Sequence, residues 1–98
     1  MTKEMEKFMS DHLHKRLFLK EGDVVEVNSD TQANVTLMDD SEYANYKEGR
    51  SYRYYGGFFT HFPATLVPPH SGYWNVVLDL GGGQASVRHS MRVVSHAI

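Results

Sequence analysis

The chain contains no cysteine. Disulfides, thiolate-bound metals and a cysteine nucleophile are thereby excluded, and the composition suits a reducing compartment. Long hydrophobic runs are missing too. Nothing approaches the ~20 consecutive apolar residues of a membrane helix, and Lys3 and Lys7 are not followed by the apolar stretch of a secretory signal. These absences predict a soluble, cytoplasmic protein. Acids are scarce in the second half, where Asp79 stands alone after Glu48. A paired-carboxylate site built within that half is excluded. The acids crowd instead into residues 21–48, where eight of them accompany a single base, Lys47, although the whole chain is only −2. That imbalance reads as ordinary solubilising charge. The slightly acidic total argues against non-specific nucleic-acid binding.

A chain of 98 residues makes one domain and buries roughly 60–65% of its unfolded surface, enough for one modest core. Residues 1–11 predict a flexible lead, and 12–98 the folded domain. The organising stretch is Ser71 to Leu80, which holds the only Trp. Trp74, Val76, Leu78 and Leu80 alternate with Tyr73, Asn75, Val77 and Asp79, the spacing of a strand with two distinct faces. Pro68-Pro69-His70-Ser71-Gly72 before it and Gly81-Gly82-Gly83 after it predict reversals.

Similar patterns recur. Leu13, Leu17 and Leu19 share one face of a first strand, and His12, His14, Arg16 and Phe18 the other. Lys20 to Asp23 is a tight turn with Gly22 free to take positive φ. Val25 and Val27 mark a second strand, and Ala33, Val35 and Leu37 a third; the short loop between them predicts a hairpin. Asp39 as N-cap with Glu42 three residues on, followed by Gly49 as a stop, predicts a short helix near 40–47, docked by Tyr43 and Tyr46. Arg50 to Tyr55 has strand character, and Gly56-Gly57 predicts a bend or bulge. Phe58 to Phe62 and Ala64 to Val67 extend the wall. Ala85, Val87, His89, Met91 and Val93 form the apolar side of the last strand, which makes His89 a core histidine. About seven short strands at 8–12-residue spacing predict a single-domain antiparallel β-sandwich, with a partly open β-barrel as the alternative.

The order of blocks carries a resemblance. Lys20-Glu21-Gly22-Asp23-Val24-Val25-Glu26-Val27, Asn34-Val35-Thr36-Leu37-Met38-Asp39, Tyr52-Arg53-Tyr54-Tyr55-Gly56-Gly57, Gly72-Tyr73-Trp74 through Leu80-Gly81-Gly82, and Val87-Arg88 through Val94 run in sequence. The chain resembles the bacterial domain-of-unknown-function family numbered 1883, from about His12 to Val94. That resemblance implies a small, mainly β domain, found alone or joined to Toll/interleukin-receptor-like domains, and hence a recognition or sensing module. It implies no catalytic residue.

Candidate chemistry is sparse. His12-x-His14 places two imidazoles on one strand face, a spacing metals use, but a third ligand is not indicated; surface histidines are the simpler account. His61 joins them as a candidate for metal-assisted hydrolysis. Gly81-Gly82-Gly83 lacks the spacing and the following helix of a phosphate loop, so no cofactor is indicated. No Gly-x-Ser-x-Gly elbow occurs. The strongest grouping is basic and aromatic: Arg50, Tyr52 and Arg53 beside Tyr54 and Tyr55, with Arg88 and Arg92 on the outward face of the last strand. If the first and last strands are neighbours, His12, His14 and Arg16 extend that patch. Guanidinium forks suit carboxylate or phosphate, and rings suit stacking. The competing reading makes Tyr54, Tyr55 and Phe58 core, with the arginines lying over them.

The expectation is therefore a non-catalytic module that binds a protein partner or a small anionic ligand through Arg50, Tyr52, Arg53, Arg88 and Arg92. A metal-assisted hydrolase and a single-strand nucleic-acid binder are the alternatives. Open strand edges also allow a homodimer by edge pairing.

Overall fold

The structure is a computed structural model and describes residues 12–79 and 88–95. The 1–11 lead, Leu80, the three-glycine reversal, and Ala85 and Val87 of the last strand lie outside the described residues. The described residues form seven strands and one helix in the order β1 (His12–Leu19), β2 (Val24–Ser29), β3 (Ala33–Met38), α1 (Asp40–Lys47), β4 (Tyr55–Phe59), β5 (Ala64–Leu66), β6 (Gly72–Asp79) and β7 (His89–Val94). They build two antiparallel sheets, ordered β1-β6-β3-β4 and β5-β2-β7. The β-sandwich stands, and the described strands close no barrel.

Between the sheets the alternation works as the sequence suggests. Leu19, Val25, Val27, Val35, Leu37, Leu66, Trp74, Val76 and Leu78 form one apolar cluster. Each such side chain contributes about 1.5–3 kcal/mol relative to leaving it in water. The Trp74 indole is buried and donates its N–H to the His70 carbonyl at 3.1 Å.

Three expectations fail. The β2–β3 hairpin does not form. β2 pairs with β5 and β7, whereas β3 pairs with β6 and β4. The Asp30 to Gln32 link instead crosses from one sheet to the other, so that Val25 and Val27 enter the same core as Val35 and Leu37 from opposite layers. Arg50 to Tyr54 is not a strand. The Arg53 N–H goes to the Glu42 carboxylate at 2.7 Å rather than to a ladder. Gly56-Gly57 makes no bulge, because pairing runs through both in register, Thr36 with Gly56 and Val35 with Gly57. Gly56 is required for another reason. Its φ is +111°, and a Cβ there would lie 2.2 Å from the Val35 carbonyl oxygen. β3 and β4 approach too closely for any side chain.

The edges depart from the pattern as well. His89 is exposed, not core, and Leu13 and Phe58 are exposed too. β1 and β7 are edge strands of different sheets, so neither row of side chains is roofed along its whole length.

The helix forms where its caps place it. Asp39 accepts the Glu42 N–H at 2.9 Å, Asp40 and Glu42 sit in the first turn, and Lys47 sits in the last. Gly49 follows with φ +76°. No residue of α1 is fully buried. It is held on the outer face of the four-stranded sheet by aromatic and polar contacts rather than by an oily stripe. This roof explains β6. Trp74, Val76 and Leu78 are buried against the other sheet, and Asn75 and Val77 are buried on the opposite face. A central strand covered on both sides buries both faces, and the polar group on the second, Asn75, is hydrogen-bonded there.

Candidate functional site

The outer face of the four-stranded sheet is built in rows. Register places His12 beside Asp79, His14 beside Val77, Arg16 beside Asn75 and Phe18 beside Tyr73, with Asn34, Thr36 and Met38 of β3 on the far side of β6. α1 lies across these rows, and each row meets it differently.

At the helix start, Arg16 grips Asp40 with both prongs, Nε to Oδ1 at 3.0 Å and Nη2 to Oδ2 at 2.9 Å. The guanidinium also lies 4.1 Å from the centre of the Tyr73 ring, which packs edge-on against Phe18. Buried Asn75 sits next to this pair. It donates to Asp40 at 2.8 Å and to the Met38 carbonyl at 3.2 Å, and its oxygen pairs with His14 Nε2 at 2.7 Å. The hydrogen bonds from Arg16, and then from Asn75, hold the Asp40 carboxyl down at about 2. In the middle, Tyr43 stacks on His14 with centroids 4.1 Å apart, pairs through its hydroxyl with His12 Nε2 at 3.0 Å, and carries Lys47 over its ring at 4.7 Å. Burial pushes the Tyr43 phenol up.

The far end differs because it opens to solvent. Tyr46 donates its hydroxyl to Asp79 Oδ2 at 2.5 Å. Burial first, and then that hydrogen bond, push the Tyr46 phenol well above its ordinary value, so the ring stays neutral. Tyr52 meets Tyr46 edge to face, 5.1 Å between centroids at 80°, and Tyr54 follows Tyr52 at 5.6 Å and 42°. Together the three rings wall a cleft of about 120 Å³. Asn34, Thr36 and Val77 floor it, and Asp79 closes one side. α1 supplies one wall and the 50–54 crossing supplies the other two, which is why that segment leaves the sheet. Tyr52 and Tyr54 are exposed.

The expected patch divides in two. Arg50 and Tyr52 lie near the end of α1, whereas Arg53 lies beside its first turn. Arg88 and Arg92 belong to the other sheet, since β7 pairs with β2 and not with β1. Several of these arginines already have partners: Arg50 pairs with Glu48 at 2.7 Å, and Arg92 with Glu26 at 2.7 Å. Arg53 lines a second cleft, with Asp39, Glu42, Tyr55, His70 and Trp74. Tyr54, Tyr55 and Phe58, proposed as core, are about half exposed, at 49%, 49% and 59%. The histidines disperse. His12 and His14, on the β1 edge, spend a ring nitrogen on Tyr43 and Asn75, and His61, just past the opposite edge strand β4, contacts Thr60. Among the described residues no group of three or more His, Cys, Asp or Glu is placed to hold a metal.

Sequence reasoning did not assign Tyr46, Asp79, Asn34 or Thr36 to a site. One signal was available. Asp79 is the sole acid of the second half and shares a face with Asn75 and Val77, so a carboxylate was bound to appear on whatever covers that face.

The described residues thus make a small antiparallel sandwich with one helix-roofed face and an aromatic cleft at the rim of that roof. The chain belongs to the family described as Domain of unknown function (DUF1883), whose model matches residues 8–97. No curated protein and no solved structure matches the chain significantly. Among the described residues no helix is long and apolar enough to cross a membrane.

Proposed function

We propose that this domain is a non-catalytic binding module and that it recognises a partner through the tyrosine cleft at the end of α1. One observation carries the reading: three tyrosine rings from two separate segments meet over a floor of Asn34 and Thr36, with two of the rings open to solvent. Such a mixture of ring surface and a few fixed polar groups is how ligand sites combine affinity with orientation. The polar groups elsewhere on this face are committed to structure, His14 to Asn75 and Asp40 to Arg16. Recognition of an anion by the arginines has less support, because Arg50 and Arg92 are neutralised by neighbouring acids and the two groups lie on different sheets. A bacterial, cytoplasmic module that serves signalling partners is consistent with this reading.

The test is a titration of the ¹⁵N-labelled chain with a panel of sugars, amines, carboxylates, nucleotides and short peptides, followed by amide shifts. At least one class should move amides of residues 34–36, 52–54 and 77–79 together, and Tyr54→Ala should abolish the response in a folded protein. Shifts confined to β7, or none across the panel, would refute the reading.

A further inference from the structure

The chemistry of the cleft selects a sign of charge. Tyr46 and Tyr52 stand nearly at right angles, like two walls meeting at a corner, and Tyr54 continues the second wall. Aromatic faces carry negative potential and attract a cation within ~6 Å of the ring centre. The remaining side holds the Asp79 carboxylate, which accepts the Tyr46 hydroxyl. Tyr46 also lies in the last turn of α1, at the negative end of the helix dipole. Three sources of negative potential thus converge on a space of about 120 Å³. That is far below the ~300 Å³ at which drug-sized pockets begin, so the space suits one functional group and not a whole metabolite. The protein already uses the same chemistry nearby, with Arg16 on Tyr73 and Lys47 on Tyr43. Among the described residues no lysine or arginine lies over Tyr46, Tyr52 or Tyr54, and the nearest imidazole, His12, packs against Tyr46 alone of the three, edge to face at 5.1 Å between centroids.

Resting on the binding-module reading, we propose that the cleft is a seat for an alkylated ammonium group, bounded by Tyr46, Tyr52 and Tyr54 and facing Asp79. A quaternary or methylated nitrogen fits better than a bare ammonium. Its methyl groups lose little hydration on entering a ring-lined space, while its diffuse charge still meets the ring faces and the carboxylate. The nitrogen can belong to a free small molecule or to a methylated lysine side chain of a partner.

The test compares choline with 3,3-dimethyl-1-butanol, its uncharged carbon isostere, by amide shifts of the full-length ¹⁵N-labelled chain. Choline should titrate residues 34–36, 52–54 and 77–79, and the isostere should need at least about tenfold more ligand. Tyr54→Phe keeps the ring and should bind like the parent, whereas Tyr54→Leu and Tyr52→Leu should each weaken choline severalfold. These residues are exposed, so the variants should fold. A trimethyl-lysine peptide that binds more tightly than choline would assign the nitrogen to a protein partner, and the reverse order to a small molecule. Equal titration by the isostere would overturn the charge assignment while leaving the cleft a binding site. Binding that is indifferent to Tyr54→Leu, or absent for every cation, would also overturn it. Silence of the cleft toward the wider panel would remove the binding-module reading as well.

Discussion

The four-stranded sheet is built from strands of five to eight residues and the three-stranded sheet from strands of three to six, and among the described residues the outer face of the first is roofed whereas that of the second is bare. On the four-stranded sheet, α1 and the 50–54 crossing cover β6 and β3, and the contacts are specific: Arg16 to Asp40, Asn75 to Asp40 and Met38, Tyr46 to Asp79. On the three-stranded sheet the outward residues are the familiar polar side of a solvated strand, with Glu26 opposite Arg92 and Thr65 alongside. The inner faces of both sheets are alike, because both need only aliphatic volume. The contrast shows where binding chemistry arises. A roofed face must satisfy its polar groups in fixed geometry, and where the roof ends it leaves a shaped edge, here the tyrosine cleft. A bare face fixes nothing and offers only a charge ladder screened by water and salt.

This contrast can be tested by substitution, and the core shared by the two sheets sets the scale. Leu37→Ala removes a fully buried side chain between them and should cost about 2–5 kcal/mol in urea unfolding, with both faces lost together. Next is the roofed face. Asn75→Ala strips the partner from His14, Asp40 and the Met38 carbonyl and should cost about 1–3 kcal/mol. It should also let the Asp40 carboxyl titrate closer to its ordinary value, visible in a ¹³C carboxyl titration. A cost near zero would mean that the roof is decoration.

A smaller effect appears in acid. The Asp40 pKa is depressed in the fold, from 3.8 to about 2. Its contribution to stability is therefore complete above pH ~4 and fades as pH falls through about 2. Both partners are about half exposed, at 48% for Arg16 and 52% for Asp40, so solvent screening keeps the contribution small. Urea midpoints between pH 5 and pH 2 should drop by less for Asp40→Asn than for the parent. The smallest effect belongs to the bare face. Arg92→Ala deletes the exposed pair with Glu26 and should change stability by less than about 0.5 kcal/mol, an effect that disappears in 1 M salt. A loss as large as that of Asn75→Ala would erase the distinction between the faces.

Much of the molecule is legible in short stretches of chain: the two-residue alternation of Val25 and Val27, Val35 and Leu37, and Trp74 to Leu78, the tight turn at Gly22, and the helix from its Asp39 cap to Gly49. Each is a short-range property, because a cap, a turn or a strand face is settled by residues a few positions apart. Long-range packing selected which strands pair, parted β2 and β3 into different sheets, and laid α1 over β6. It also separated Arg92 from Arg53 and brought Tyr46, Tyr52 and Asp79 to one cleft. Those outcomes depend on contacts between residues such as Tyr46 and Asp79, 33 positions apart, and no local spacing records which of many compatible surfaces will meet. Strand propensity was overruled at Tyr52 to Tyr54 for the same reason, since a long-range bond from the Arg53 N–H to Glu42 and the packing of rings on α1 outweighed a ladder that only the neighbouring residues favoured.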